Sequence, residues 1–429
     1  MNHGGINMSK NISMLALNGG EKAVNKPLPA RNHYGAEEKA IVNKMFDEAI
    51  ASGNPQGYNG PYEEAYCKQF AEFMGGGYAD AVNSGTNAVY VALRALEVKP
   101  FSEVIVGPIT DPGGMMPVVM CNCIPVVPDA APGKYNTSSE QIAKMITPLT
   151  GAIIVAHIAG EPTDIDKIVE IASAKGIPVI EDCAQAHYGK LNGKLLGTFG
   201  DVAAFSTMNG KHHCTGGQGG VVFTKSEELY WKSRQYSDRG KPFGTDASQG
   251  NVVAAVNMNL SDLQAAIGSE QLKKLPGIVE RRTAVVKKFT EKFKNLKSVT
   301  IPEQLPGAEP AYWFWRLEVN LDAITCKDKY EYLKALRAEG VPINPEYRAI
   351  PHMNAWYKNR NVFPGTDLPW SAAEYTGEYK DKEKANFPIP NAMAATAIQY
   401  NLSINESWDD ETIDMIYEAY RKVDEAYAK

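Results

Sequence analysis

From about residue 80 to residue 224 the apolar residues change period again and again. Runs such as ADAVNSG, EVIVGP, IPVVPDA, AIIVAHIAG, IPVIEDCA, DVAAFST and GGVVFT read as short buried strands. Between them, TNAVYVALRALEV sets Val89, Leu93 and Leu96 at helical spacing, and IDKIVEIASAKG repeats the helical pattern behind a candidate cap at Asp164. Strands separated by helix-length segments are best accommodated in a largely parallel α/β sheet, whose ligands gather at the carboxyl ends of the strands. Beyond residue 260 the texture shifts. Ser261 is placed to cap DLQAAIGSEQLKKL, Pro276 is expected to stop or kink that helix, AYWFWRLEVN reads as a strand, YEYLKALRAEG as a helix ending at Gly340, and the tail as a closing helix. This second texture predicts a smaller C-terminal α+β domain. The expected division is an arm over 1–45, a large domain over 46–275 and a small one over 276–429.

With 429 residues, 44% of them hydrophobic, the chain can bury a large core. A formal charge of −6 and the absence of a basic stripe argue against nucleic acid as partner. Cys67, Cys121, Cys123, Cys183, Cys214 and Cys326 have no metal-site spacing and read as free thiols. MNHGGINMSKNIS lacks the features of a secretory signal, and no stretch of 18 apolar residues is present, so a cytoplasmic protein without a membrane partner is expected.

Three separated pieces carry chemistry. Asn83-Ser84-Gly85-Thr86 forms a strand-to-helix turn, where unpaired N–H groups and the helix dipole favour a phosphate, although an ordinary cap has the same composition. Glu181-Asp182 ends an apolar strand, with Gln185 and His187 following; a carboxylate at that depth needs a cation, a capping role or a salt bridge. The stretch FSTMNGKHHCTGGQGG then offers Ser206, Lys211, His212 and His213 beside a block of glycines.

Taken in order, the S-G-T turn, the VIEDCAQAH strand end and the FS(x)4K stretch with its TGGQGG block resemble the DegT/StrS family of sugar and aminocyclitol aminotransferases, pyridoxal-phosphate enzymes of aspartate-aminotransferase fold (fold type I). LALNGGEKAV, HIAGEPTDID, NLSDLQAAIGSEQLKKL, GVPINPEYRAIPHM and NLSINESWDDETIDMI extend the resemblance over nearly the whole chain.

The resemblance implies a large domain with a mostly parallel sheet, a smaller C-terminal domain, pyridoxal 5'-phosphate as cofactor, and transfer of an amino group from glutamate or glutamine to a keto-sugar, keto-cyclitol or related small ketone. It gives Lys211 the Schiff base to the cofactor and Asp182 the pyridinium nitrogen. Gly85, Thr86 and Ser206 would hold the phosphate, Gln185 would lie along the ring, and Asn257 would reach the phosphate from the other subunit of a homodimer. His33, Tyr34, Tyr58, Arg348 and His352 are candidates for substrate-facing or for structural roles, while Tyr312-Trp313-Phe314-Trp315 reads as core or interface. The opening LALNGGEKAV and the following KPLPARNHYG lean toward the cyclitol side of the family.

The chain departs from the family pattern in three places. Counting from Phe205 puts Lys211 in the lysine position, whereas counting back from Gln218 puts His212 there, which would make the chain a sugar 3-dehydratase because imidazole forms no imine. The loop ITDPGGMMP lacks the usual stacking aromatic, leaving Asp111, Pro112 or an aromatic from elsewhere in the chain to cover that face. Asn259 stands where an arginine is common, and Gln218 where a glutamate is. A non-catalytic cofactor-binding regulator is the remaining alternative.

Overall fold

The computed structural model describes residues 12–347 and 349–429. The strand-like runs become one seven-stranded sheet: β1 (Tyr78–Val82), β2 (Glu103–Ile105), β3 (Ile124–Val126), β4 (Thr150–Ala156), β5 (Val179–Asp182), β6 (Val202–Ser206) and β7 (Gly220–Thr224). Their order is β1-β7-β6-β5-β4-β2-β3; β7 runs antiparallel to both of its neighbours, and the other adjacent pairs are parallel. Every residue of β2, β3, β5, β6 and β7 is buried, as strands covered on both faces should be.

Register aligns the ends that matter. Ala156 pairs with Asp182 and Asp182 with Ala204, while Ser206 faces Gly220 and Gly220 faces Val82. The carboxyl ends of β1, β4, β5 and β6 therefore open on one edge.

The principal helices are α1 (Ala36–Ser52), α2 (Pro61–Phe73), α3 (Gly85–Ala95), α4 (Ile165–Ser173), α5 (Glu227–Ser237), α6 (Asp262–Phe293), α7 (Lys329–Ala338) and α8 (Asp410–Tyr427). Ser261 caps α6 in a reciprocal box with Gln264. Pro276 does not end this helix. Leu272, Leu275 and Val279 pack into the first core and Val285, Phe289 and Phe293 into the second, so burial on both sides of the proline outweighs its lost backbone bond. Asp164 precedes α4, yet its carboxylate makes no cap bond there; it accepts instead from the N–H and hydroxyl of Ser139.

A second, antiparallel sheet has the order β8-β9-β11-β10, formed by β8 (Val299–Thr300), β9 (Trp315–Val319), β10 (Ile343–Asn344) and β11 (Gln399–Leu402). It shares a core with α7, α8 and the C-terminal half of α6. Residues 350–395 lie in the C-terminal third of the chain but send Ile350, Tyr357, Trp370, Tyr375 and Phe387 into the first core, and the expected division at 275/276 falls inside α6. Among the described residues no helix is long and apolar enough to cross a membrane.

Candidate active site

On the open edge lies a cavity of about 250 Å³. Its wall includes Ser84, Gly85 and Thr86 from the start of α3, Asp182 and Gln185 after β5, Ser206 at the end of β6, and Lys211 from the following loop. Six of the seven residues expected from the sequence to handle cofactor are thus brought together. Asn257 is exposed and does not line the cavity of its own chain; its Oδ1 accepts from the backbone and side-chain nitrogens of Asn259 at 3.1 and 2.8 Å.

The start of α3 is drawn tight against β6. Ser84 Oγ accepts from Asn87 N at 3.1 Å, leaving at the cavity wall the N–H groups of Gly85 and Thr86, which a helix start does not pair internally. A Cβ on Gly85 would stand 2.5 Å from Ser206 Cβ, so only glycine permits this approach.

Lys211 and Asp182 are both buried. Burial pulls the Lys211 ammonium down to about 8, against the opposing influence of Asp182 and Asp111. Burial likewise raises Asp182, opposed by its hydrogen bond from Ala184 N at 3.0 Å and by the charge of Lys211. An amine that loses its proton readily, facing an acid in want of a cation, is suited to nucleophilic and proton-transfer work.

The neighbouring histidines face elsewhere. His212 Nε2 bonds the Ala311 carbonyl at 2.9 Å, and His213 lies between Tyr66 Oη at 2.8 Å and His187 Nδ1 at 2.9 Å. Burial depresses all three of His187, His212 and His213, the last to about 3. Neither His212 nor His213 lines the cavity.

Gln185 accepts from Ala159 N at 2.8 Å and donates to Tyr347 Oη at 2.6 Å. Asp111 lines the wall, its Oδ1 accepting from Gly113 N at 2.9 Å; Pro112 does not line it, and Gly114 packs against Asp182. Glu181, adjacent to Asp182 in sequence, accepts from the N–H groups of Gly197, Phe199 and Gly200 at 2.7–2.8 Å. Its carboxylate therefore anchors a loop, although it meets His157 and Cys183 in a cluster of metal-capable side chains.

Of the expected substrate-facing groups, none of the four that are described lines the cavity. His33 borders a separate cleft with Arg31 and Lys274, Tyr34 contacts Cys214, Tyr58 accepts from Arg239, and His352 is bonded to the Phe387 carbonyl. Arg348 lies outside the described residues. Thr110, His157, Met208 and Gln218 also line the wall, and Trp313 presents its ring to Lys211 Nζ at 4.0 Å from the ring centroid. Position at a strand end pointed toward His157; nothing local in sequence pointed to Trp313.

The strand order, the buried lysine and acid on the carboxyl edge, and the glycine-opened helix start agree with the class that the sequence resemblance implies, the fold type I pyridoxal-phosphate aminotransferases. Residues 37–379 match the DegT/DnrJ/EryC1/StrS aminotransferase family, and the chain belongs to that family. It is 28% identical over 404 residues to the spore coat polysaccharide biosynthesis protein SpsC of Bacillus subtilis, covering 92% of this chain and 98% of that protein. It is 31% identical over 284 residues to the GDP-perosamine synthase of Caulobacter vibrioides, covering 66% and 75%. An aminotransferase structure from Psychrobacter cryohalolentis superposes with a TM-score of 0.77 at 26% identity, covering 92% and 97%.

Proposed function

We propose that this enzyme transfers an amino group from glutamate or glutamine to a ketone on a sugar, with Lys211 as the reactive amine. The observation that supports this most strongly is the convergence of Lys211 and Asp182 on one cavity wall while the His212 ring is bonded to Ala311. The residues present fit pyridoxal 5'-phosphate: an anion-favouring helix start opened by Gly85, a buried carboxylate and a buried amine. When bound, that group supplies an electron sink for carbon–nitrogen bond rearrangement.

The roles follow from the chemistry of the side chains. Gly85, Thr86 and Ser206 would hold the cofactor's phosphate through N–H and hydroxyl groups. Asp182 would accept from a protonated ring nitrogen, which would provide the cation its burial calls for. Gln185, its amide fixed from both ends, would border the ring. Lys211, once free, holds and returns the proton at Nζ. Asn257 is assigned to the cavity of a partner subunit in a homodimer, and six unpaired cysteines are in keeping with a cytoplasmic setting.

The relatives named for spore-coat polysaccharide and GDP-perosamine favour a nucleotide-linked keto-sugar over a free cyclitol. A dehydratase using His212 would need that ring in the cavity, and a regulator would not need a buried amine there.

Borohydride reduction of the purified protein, followed by digestion, tests the assignment. A pyridoxyl mass on the Lys211 peptide, kept in His212→Ala and lost in Lys211→Ala, is expected. Absence of that mass from the unsubstituted protein would overturn the assignment. Amino transfer to GDP-linked keto-sugars, compared with a cyclitol ketone, then tests the substrate.

A further inference from the structure

Behind Lys211, three distant parts of the chain meet around one buried carboxylate. Glu406, between β11 and α8, accepts from Arg31 Nε at 2.9 Å and from Arg282 Nε at 2.9 Å, with Arg282 Nη2 at 2.8 Å. Arg31 precedes α1, and Arg282 lies within α6. Each guanidinium also reaches backbone beside the cavity. Arg31 Nη1 donates to the carbonyls of Gly210 and Lys211 at 3.0 and 3.1 Å, and Arg282 Nη1 to those of Tyr312 and Trp313 at 2.8 and 3.0 Å.

The two segments held in this way are also joined directly. Trp313 Nε1 donates to the Gly210 carbonyl at 3.1 Å, and its ring lies under Lys211 Nζ at 4.0 Å. The Trp313 N–H bonds Ala159 O at 3.0 Å, next to the N–H that orients Gln185. An ammonium over an indole face is attracted by the ring quadrupole, and more so away from water. The carbonyl contacts are made by charged donors of fixed geometry, which an isolated ion pair would not require.

We propose that Trp313 is the seat of the Lys211 amine when it is not bonded to cofactor, and that Arg31, Glu406 and Arg282 are positioning residues that hold seat and lysine in register. This rests on the reading of Lys211 as the reactive amine. Arg282 and Glu406 are 2% and 6% exposed, so their replacement endangers folding; Arg31 and Trp313 are the sites to change.

The test separates the lysine from the phosphate cradle with two probes. Pyridoxal 5'-phosphate, added to the full-length apoprotein and trapped with borohydride, reads the lysine: Nζ bonds the aldehyde carbon, water leaves, and hydride from borohydride makes the bond permanent. Pyridoxamine 5'-phosphate, which has no aldehyde, reads the cradle by equilibrium dialysis.

Trp313→Leu and Arg31→Met are expected to slow trapping at Lys211 roughly tenfold or more, as a misplaced reacting group should. Trp313→Phe keeps a ring face and should recover most of the rate. Pyridoxamine phosphate affinity should stay within about twofold for all three, because none of them touches the cradle. Trapping at the unsubstituted rate in both Trp313→Leu and Arg31→Met would overturn this inference alone. A parallel fall in pyridoxamine phosphate affinity would also overturn it, since the residues would then support the whole cavity. Failure of the unsubstituted protein to form any adduct at Lys211 would remove the functional reading as well.

Discussion

Lys211 combines a low amine pKa with a nearby acid, and the two effects can be separated by pH. Burial lowers the ammonium to about 8, and Asp182 acts in the opposite direction by stabilising the charge. Removing the acid must therefore lower the value further. The pH midpoint for trapping pyridoxal phosphate at Lys211 should lie near 8 in the unsubstituted protein and shift downward in Asp182→Asn. A midpoint near the ordinary lysine value of 10.5, or an upward shift, would contradict this electrostatic account. Asp182→Asn should also lower amino transfer by about 10²–10³-fold, the scale of losing one preorganised electrostatic partner, as steady-state kinetics would register. In the sequence, Lys211 and His212 were separable only by choosing which end of the loop to count from. The fold distinguishes their positions through contacts the local sequence does not display: the turn from Lys211 N to Met208 O, and the Ala311 carbonyl that engages His212.

At the scale of elements, the strand-to-helix turn at 83–86 was legible because Ser84 is a preferred cap by type and caps through Asn87 N. Gly85 carries a sharper requirement than the turn alone explains. Its φ is unremarkable; the constraint is the closeness of Ser206. Gly85→Ala should push the start of α3 away from β6, cost about 1–3 kcal/mol in stability and weaken pyridoxamine phosphate binding, as chemical denaturation and equilibrium dialysis would show. Unchanged binding would dissociate the helix start from the phosphate. Most strands were legible as buried apolar runs. The cap expected at Asp164, and the stop that was one of the two outcomes expected at Pro276, gave way for one reason: tertiary contacts outweighed a local rule. Pro276 is a helix breaker by chemistry but sits between two cores that both need α6, and Asp164 is a good cap by type but is closer to the Ser139 amide and hydroxyl.

For the whole molecule, the return of residues 350–395 to the first core was not legible, because an aromatic-rich stretch carries no address. Tyr375 shows what fixes it: its hydroxyl donates to buried Glu103 at 2.8 Å on β2. Asn257 does not line the cavity of its own chain, so the role proposed for it requires a partner subunit. If it completes the cavity of a partner, neither Lys211→Ala nor Asn257→Ala dimers hold an intact site, provided each substitution abolishes activity. In a hybrid of the two, however, one cavity draws lysine from the Asn257→Ala chain and asparagine from the Lys211→Ala chain, and is intact; the other lacks both. Random reassortment of equal amounts makes half the dimers hybrids with one working site of two, so about a quarter of full activity should return on mixing. Were Asn257 to act within its own chain, every cavity in the hybrid would lack one group and mixing would restore nothing. The activity of reassorted mixtures, measured beside their mass distribution, therefore reports whether the catalytic unit is one chain or two.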